Sequence, residues 1–346
     1  MDKRLFNDMD QARRLAGIWM DATGFAPVQS SREFLKAETG LRLWRYGAPN
    51  ESTPALLIVP APIKRHYIWD LSPSTSVVRH ALDRGFVVYL AEWTEAPKEY
   101  GFDAYVELLG LCVESIENEA GRKPHLLTHS LGGILCAIYG ALNPSHIASL
   151  SLIETPLHFK AGDGAFSRLL ASKTSAHDIA ENFGSIPGSF LNLVSAMASP
   201  DEFIWQRDHD FLAATRNLHD LRSHLMAMRW TFDEFPLPGR LFAQVVDELF
   251  REDRLMRGEL TIKDRPVKPE EITFPLTVVM NPRGQVIPPQ SMLPFYEAVA
   301  SDEKQLITYE GDVGVGLQHL GALIGRNAHR DIWPRIFSWV DAREDV

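Results

Sequence analysis

The chain of 346 residues has only two cysteines, Cys112 and Cys136. Two thiols inside apolar helical patterns supply neither a disulfide framework nor a metal-ligand spacing, and they read as buried free thiols of a reducing cytoplasm. No apolar run reaches the ~18 residues a membrane span needs; the longest, around Pro54–Ile63, is broken by prolines. The opening residues, Met1-Asp2-Lys3-Arg4-Leu5-Phe6-Asn7-Asp8, alternate charge and lack the apolar stretch of a signal peptide. Positive charge is also in the minority: 35 Lys and Arg face 45 Asp and Glu, a formal net charge of −10. That balance excludes a protein that wraps nucleic acid, since such binding is largely phosphate neutralisation. A cytoplasmic protein with no nucleic-acid partner and no membrane span is expected. A small anionic substrate met by a local basic patch stays open.

With 45% apolar and 23% charged residues, the chain can bury a sizeable core. At roughly 150 residues per domain, it holds two domains, or one domain with a large insertion. Residues 1–24 read as an amphipathic helix, with Leu5, Met9, Ala12, Leu15 and Trp19 at helical spacing. Leu41–Tyr46 alternates as a half-buried strand does. Ala55–Val59, Phe86–Leu90, His125–Thr128 and Leu150–Glu154 are nearly continuous in apolar residues, as strands covered on both faces of a parallel sheet are. Helical patterns at Ser76–Asp83, Phe102–Ala120 and Leu131–Leu142 lie between them. This βαβ rhythm predicts an α/β fold with a doubly wound, mostly parallel sheet.

The rhythm stops at Thr155-Pro156. Residues 157–270 are mostly helical and aromatic-rich, without a strand pattern; strands resume at Phe274–Met280 and Gln305–Tyr309, and a helix from His329 to Asp341 closes the chain. The expected organisation is a core of residues 25–156 and 271–346 with an inserted helical cap, 157–270. Such caps shield a site and select what enters it.

The most informative stretch is His125-Leu126-Leu127-Thr128-His129-Ser130-Leu131-Gly132-Gly133. A strand runs directly into a helix with Ser130 at the bend, the context of a nucleophile elbow. There the N–H of Leu131 and the helix dipole can meet a developing oxyanion, while Gly132 and Gly133 let helix and strand approach closely. The usual pattern is G-x-S-x-G, and Thr128 departs from it. A hydroxyl needs a base to become a nucleophile. Of twelve histidines, His319 is best placed, in a glycine-rich stretch (Gly311, Gly314, Gly316) between the last strand and the last helix. His129, flanking the tight bend, is expected to point away.

The base needs a carboxylate to hold its tautomer. The ordinary place, after the next-to-last strand, reads Met280-Asn281-Pro282-Arg283-Gly284-Gln285-Val286-Ile287 and contains none. Glu154 closes an apolar strand and is costly to bury unpaired, so it is the expected acid, with Asp312 and Glu310 as alternatives. No metal site or bound cofactor is implied.

At this point the residues resemble a family. Leu56-Leu57-Ile58-Val59 with Arg65 and Tyr67, Gly85-Phe86-Val87-Val88-Tyr89-Leu90-Ala91-Glu92-Trp93, Thr155-Pro156-Leu157-His158-Phe159, Gly184-Ser185-Ile186-Pro187-Gly188, Trp230-Thr231-Phe232-Asp233 and His319-Leu320-Gly321 occur in the order found in polyhydroxyalkanoate (PHA) synthases. The chain resembles in particular the short synthases that work as two-protein complexes, over nearly its whole length. The resemblance implies an α/β-hydrolase fold, in which some members carry their acid at the strand end where Glu154 lies. It places the nucleophile on Ser130, the base on His319, and oxyanion donors on the N–H groups of Leu131 and Ile63. The family's nucleophile is normally Cys, however, and its Asp falls on Gly284.

A serine ester is less activated than a thioester and is the usual intermediate of hydrolysis. The expectation is therefore a serine enzyme that hydrolyses a (hydroxy)acyl ester, thioester or polyester. A synthase-type acyltransferase using hydroxyacyl-coenzyme A, or a non-catalytic protein binding PHA granules or a synthase partner, are the alternatives. Coenzyme A would enter only as part of a thioester substrate, and a homodimer or a synthase-type partner subunit remains open. Lys64 and Arg65, after the oxyanion loop, are candidates to meet a substrate anion, and Trp230 to line an acyl pocket.

Overall fold

The structure, a computed structural model, describes residues 2–50, 53–159, 166 and 174–343. Glu33–Glu38 (β1), Leu41–Tyr46 (β2), Ala55–Val59 (β3), Val87–Trp93 (β4), His125–His129 (β5), Ser149–Ile153 (β6), Leu276–Met280 (β7) and Lys304–Thr308 (β8) form one sheet. Its order is β1-β2-β4-β3-β5-β6-β7-β8. β2 runs antiparallel to both β1 and β4, and all pairings from β4 to β8 are parallel. The continuous apolar runs do what double coverage requires: every residue of β3, β4, β5, β6 and β7 is buried.

Helices cover both faces. Lys3–Met20 (α1) precedes the sheet, and Val77–Asp83 (α2), Phe102–Ala120 (α3) and Leu131–Leu142 (α4) alternate with its strands. Within β3 the period of two divides the core: Leu57 and Val59 join Leu109 of α3 and Ile134 of α4 on one face. On the other, Leu56 and Ile58 join Val77 of α2, Trp333 and Phe337.

The insertion supplies Ala176–Phe183 (α5), Gly188–Ala198 (α6), Gln206–Ala214 (α7), Leu218–Thr231 (α8) and Gly239–Gln244 (α9). Leu293–Ala298 (α10), Gln318–Ile324 (α11) and Trp333–Asp341 (α12) belong to the second part of the core. Among the described residues, no helix is long and apolar enough to cross a membrane.

Three expectations need correction. The apolar stripe of the first helix faces outward: Leu5, Met9, Leu15 and Trp19 are exposed, Trp19 by 69%. The buried side is the narrower one carrying Phe6, Gly17 and Met20. Phe6 packs edge-on against Phe183 and Phe190 of the cap, and Gly17 gives room to the Arg229 guanidinium. The insertion also contains strand pairs, Ser185–Ile186 with Leu237–Pro238 and Thr261–Ile262 with Arg265–Pro266. Two residues are too few to show a period. Lastly, β1 is a strand the pattern does not reveal, because none of its residues is buried.

The approach of α4 to the sheet is the tightest packing near the bend. A Cβ on Gly133 would lie 2.1 Å from the Thr155 hydroxyl oxygen, and one on Gly132 would lie 2.5 Å from the Val59 carbonyl oxygen. Gly133→Ala is therefore expected to lower stability by about 1–3 kcal/mol through overpacking, read as an earlier midpoint in denaturant unfolding; an unchanged midpoint would contradict it.

Candidate active site

β5 ends and α4 begins within one residue, and Ser130 takes up the whole change of direction. Its φ of 56° and ψ of −132° are unusual for a side-chain-bearing residue, a conformation that costs about 1–3 kcal/mol. Hydrogen bonds at the backbone hold it: Ser130 N–H donates to Ile153 O (3.1 Å), and Gly133 N–H donates to Ser130 O (2.9 Å). The N–H of Leu131 lies in the first turn of α4, where no intrahelical acceptor exists, and is available to an anion. Thr128 fits because its hydroxyl donates to Val59 O at 2.8 Å. The close approach falls on Gly132 and Gly133 instead.

His319 is the second residue of α11, so the glycine-rich stretch leads into a short helix that carries the ring. Its Nδ1 lies 2.8 Å from Oε2 of Glu154. Glu154 follows directly after β6, at φ 41°, with its N–H donating to Val279 O of β7 at 2.9 Å. Two adjacent parallel strands thus fix the carboxylate under the ring. Burial pushes the Glu154 carboxyl well above the usual carboxylate range, and it pushes the imidazole down to about 4, because each charged form loses water. Assigned from its partner, Nδ1 carries the proton and Nε2 is the basic nitrogen. Oε1 of Glu154 is buried without a partner, so His319 is the group that satisfies this carboxylate.

The alternative acids are engaged elsewhere. Asp312 accepts from Tyr309 Oη (2.8 Å) and from the Asn327 and Ala328 N–H groups (3.0 and 3.3 Å). Glu310 is exposed and paired with Arg283 at 3.1 Å. At Gly284 a Cβ would lie 2.8 Å from Ile287 O, so the loop that ordinarily supplies the acid is shaped here to exclude a side chain.

His129 does not point away. Its ring lies over that of His319, centroids 4.3 Å apart, and its Nε2–H donates to the His319 carbonyl at 2.8 Å. Sequence reasoning missed this support, because a residue's place beside a bend does not fix its side-chain direction. Donor atoms of His129, Glu154 and His319 lie within 4.8 Å of one another, near enough for a metal ion. The two hydrogen bonds, however, already occupy His129 Nε2 and His319 Nδ1.

Ser130, Leu131, Ile63, Trp230 and His319 share one cavity of about 270 Å³. The insertion lines it with Leu191, Phe203, Phe242, Val246 and Phe250. The Ser130 hydroxyl makes no hydrogen bond to another described residue; such contacts often tighten only when substrate binds. Lys64 and Arg65 line the same cavity, but the insertion engages both. The Lys64 ammonium bonds Glu234 and donates to Thr231 O at 2.9 Å, and Arg65 Nε lies 3.2 Å from Asp233. Trp230 Nε1–H donates to Arg65 O at 2.7 Å. The two cations thus tie the loop after β3 to the insertion.

No family profile matches the chain. Curated relatives do. It is 27% identical to the poly(3-hydroxyalkanoate) polymerase subunit PhaC of Haloferax mediterranei, over 92% of this chain and 65% of that one. With the protein of the same name from Haloarcula marismortui it shares 26% identity over 83% of this chain and 61% of the other. With that of Allochromatium vinosum the figures are 25%, 93% and 90%. The chain therefore spans just under two thirds of the length of the two haloarchaeal relatives. Among solved structures it is similar to a monoacylglycerol lipase of Paleococcus ferrophilus (TM-score 0.57, 13% identity, 88% of this chain and 99% of that one). It is also similar to a putative lipase of Sulfolobus solfataricus (0.58, 15%, 91% and 99%). These likenesses show an α/β-hydrolase fold.

A protonated ring cannot accept the serine proton, and burial lowers the pKa of this ring. Activity that depends on His319 is thus expected to hold its plateau as pH falls past the free-histidine value near 6.5, and to be lost on approach to about 4. A kcat/KM profile with its acidic limb at or above pH 6.5 would contradict this.

Proposed function

We propose that this chain, a PHA synthase-like protein of the α/β-hydrolase family, is a serine acyl-transfer enzyme that hydrolyses an ester or thioester of a (hydroxy)acyl group. The observation that carries the reading is the 2.8 Å hydrogen bond between His319 Nδ1 and Glu154 Oε2. A site in decay has no reason to hold a carboxylate at an alternative strand end while the ordinary acid position is glycine.

In this mechanism Ser130 Oγ attacks the acyl carbon and its proton passes to His319 Nε2. The N–H groups of Leu131 and Ile63 receive the oxyanion. Glu154 offsets the positive charge that the ring then carries. Collapse of the tetrahedral intermediate expels the alcohol or thiol, which takes the proton from Nε2 and leaves Ser130 acylated. Water, deprotonated by the same nitrogen, attacks the ester and releases free acid. A serine ester passes its acyl group less readily to another alcohol than a cysteine thioester does, and this favours water as acceptor. The apolar cavity walls suit the acyl chain.

A second reading, acyl transfer to a growing polyester, draws on the names of the curated relatives. A cytoplasmic location, and a homodimer or a synthase-type partner subunit, belong to that same proposal. Hydroxybutyryl-coenzyme A and a soluble ester, supplied separately, distinguish the readings. Free acid together with an activated-serine adduct on Ser130 is the expected result. Polymer from the thioester would favour acyl transfer, and no product with no adduct would favour a granule- or partner-binding protein. Ser130→Ala and His319→Ala are each expected to abolish turnover. Glu154→Gln should lower it by about 10²- to 10⁴-fold, and near-full activity in that variant would overturn the assignment of the acid.

A further inference from the structure

The segment that delivers His319 is anchored to the core at its start: Asp312 accepts from Tyr309 Oη at 2.8 Å, and its N–H donates to Gln318 Oε1 at 3.1 Å. Gly311, Gly314 and Gly316 have φ values of 101°, 83° and 71°, left-handed positions without side chains to pack, while Val315 between the last two is buried in the core. The amides at 314 and 316 are held from the cap. Asp210 of α7 accepts the Gly314 N–H on Oδ1 at 2.7 Å and the Gly316 N–H on Oδ2 at 2.8 Å. Two amides two residues apart thus converge on one carboxylate, whose two oxygens accept one each. Asp210 is itself held by His224 of α8, whose Nδ1 lies 2.8 Å from Oδ2. The two side chains are only 8% and 2% exposed. The loop is also pressed against the start of α8: a Cβ on Gly314 would lie 2.8 Å from Asp220 O.

We propose that Asp210, oriented by His224, is a positioning residue that clamps residues 314–316 and so sets His319 over Ser130, coupling the catalytic base to the cap. α8 carries His224 at one end of this clamp and Trp230, a wall of the cavity, about one and two-thirds turns later. Neither Asp210 nor His224 lines the cavity. Their loss should therefore act on the chemical step and leave the binding of the acyl chain alone.

The inference rests on His319 as the base for Ser130. Its test uses the full chain and its Asp210→Asn and His224→Gln variants. Amide N–H groups of Asn would face the loop's own N–H donors, whereas His224→Gln leaves both loop bonds and loosens only their anchor. Both kcat for a soluble ester and the rate at which a fluorophosphonate labels Ser130 are expected to fall, by about tenfold or more in Asp210→Asn and less in His224→Gln, with KM within about twofold. Because unfolded protein lowers apparent kcat without moving KM, both rates are taken per mole of folded protein, counted by the end point of Ser130 labelling. In the unaltered protein the Gly314 and Gly316 amides are expected to exchange with deuterium slowly, and rapid exchange there overturns the clamp even if Asp210→Asn fails to fold. Folded variants that turn over and label at the unaltered rate also overturn it. If the unaltered protein itself takes no label on Ser130, the serine–histidine reading fails first and the clamp's role falls with it.

Discussion

Everything at the site depends on one hydrogen bond made where water is scarce. Glu154 is buried with one of its oxygens unpartnered, and His319 Nδ1 is the donor that meets the other. Losing either member would strand the other in apolar surroundings, a cost of several kcal/mol for a buried charge. The bond also fixes which nitrogen is basic. The parallel pairing of β6 and β7 sets where the carboxyl stands, and the backbone of α11 sets where the ring stands. Chemistry and fold are therefore specified by the same contacts.

Glycine at position 284 has a local steric reason. Around Gly284 the backbone closes on itself through the Gly284 N–H to Asn281 O bond of 3.0 Å, and a side chain would meet Ile287 O. At the end of β6 the opposite holds: Glu154 accepts a left-handed backbone conformation and its side chain turns under the ring. Ser130 is strained in the same sense. Two unfavourable backbone conformations at adjacent strand ends are offset by the close packing of α4 through glycine. The cap adds its own constraints, because Lys64 and Arg65 of the loop after β3 are paired with Glu234 and Asp233.

Much of this was legible in the residues. Leu41–Tyr46 and Ala55–Val59 are strands with those bounds, since alternation and continuous apolarity are direct consequences of single and double coverage. The bend at Ser130 and the meeting of His319 with Glu154 were legible through their places at element ends. The first helix misled because it is apolar on two sides, and spacing cannot say which side is covered. Lys64 and Arg65 read as free cations because their partners lie far along the chain, in a segment whose tertiary position no local pattern encodes. Asp210 was silent for the same reason: on a helix, an acidic residue ordinarily means a solvated face. His129 was misjudged because a turn's backbone path does not determine where its neighbour's ring goes.

The most direct test is an experimental structure of the protein after inactivation by a phosphonate ester. The account predicts phosphorus bonded to Ser130 Oγ, the phosphoryl oxygen within hydrogen-bonding distance of the Leu131 and Ile63 N–H groups, and His319 Nδ1 still bonded to Glu154. An unmodified Ser130, or a His319 ring turned from Glu154 to another carboxylate such as Asp312, would contradict it.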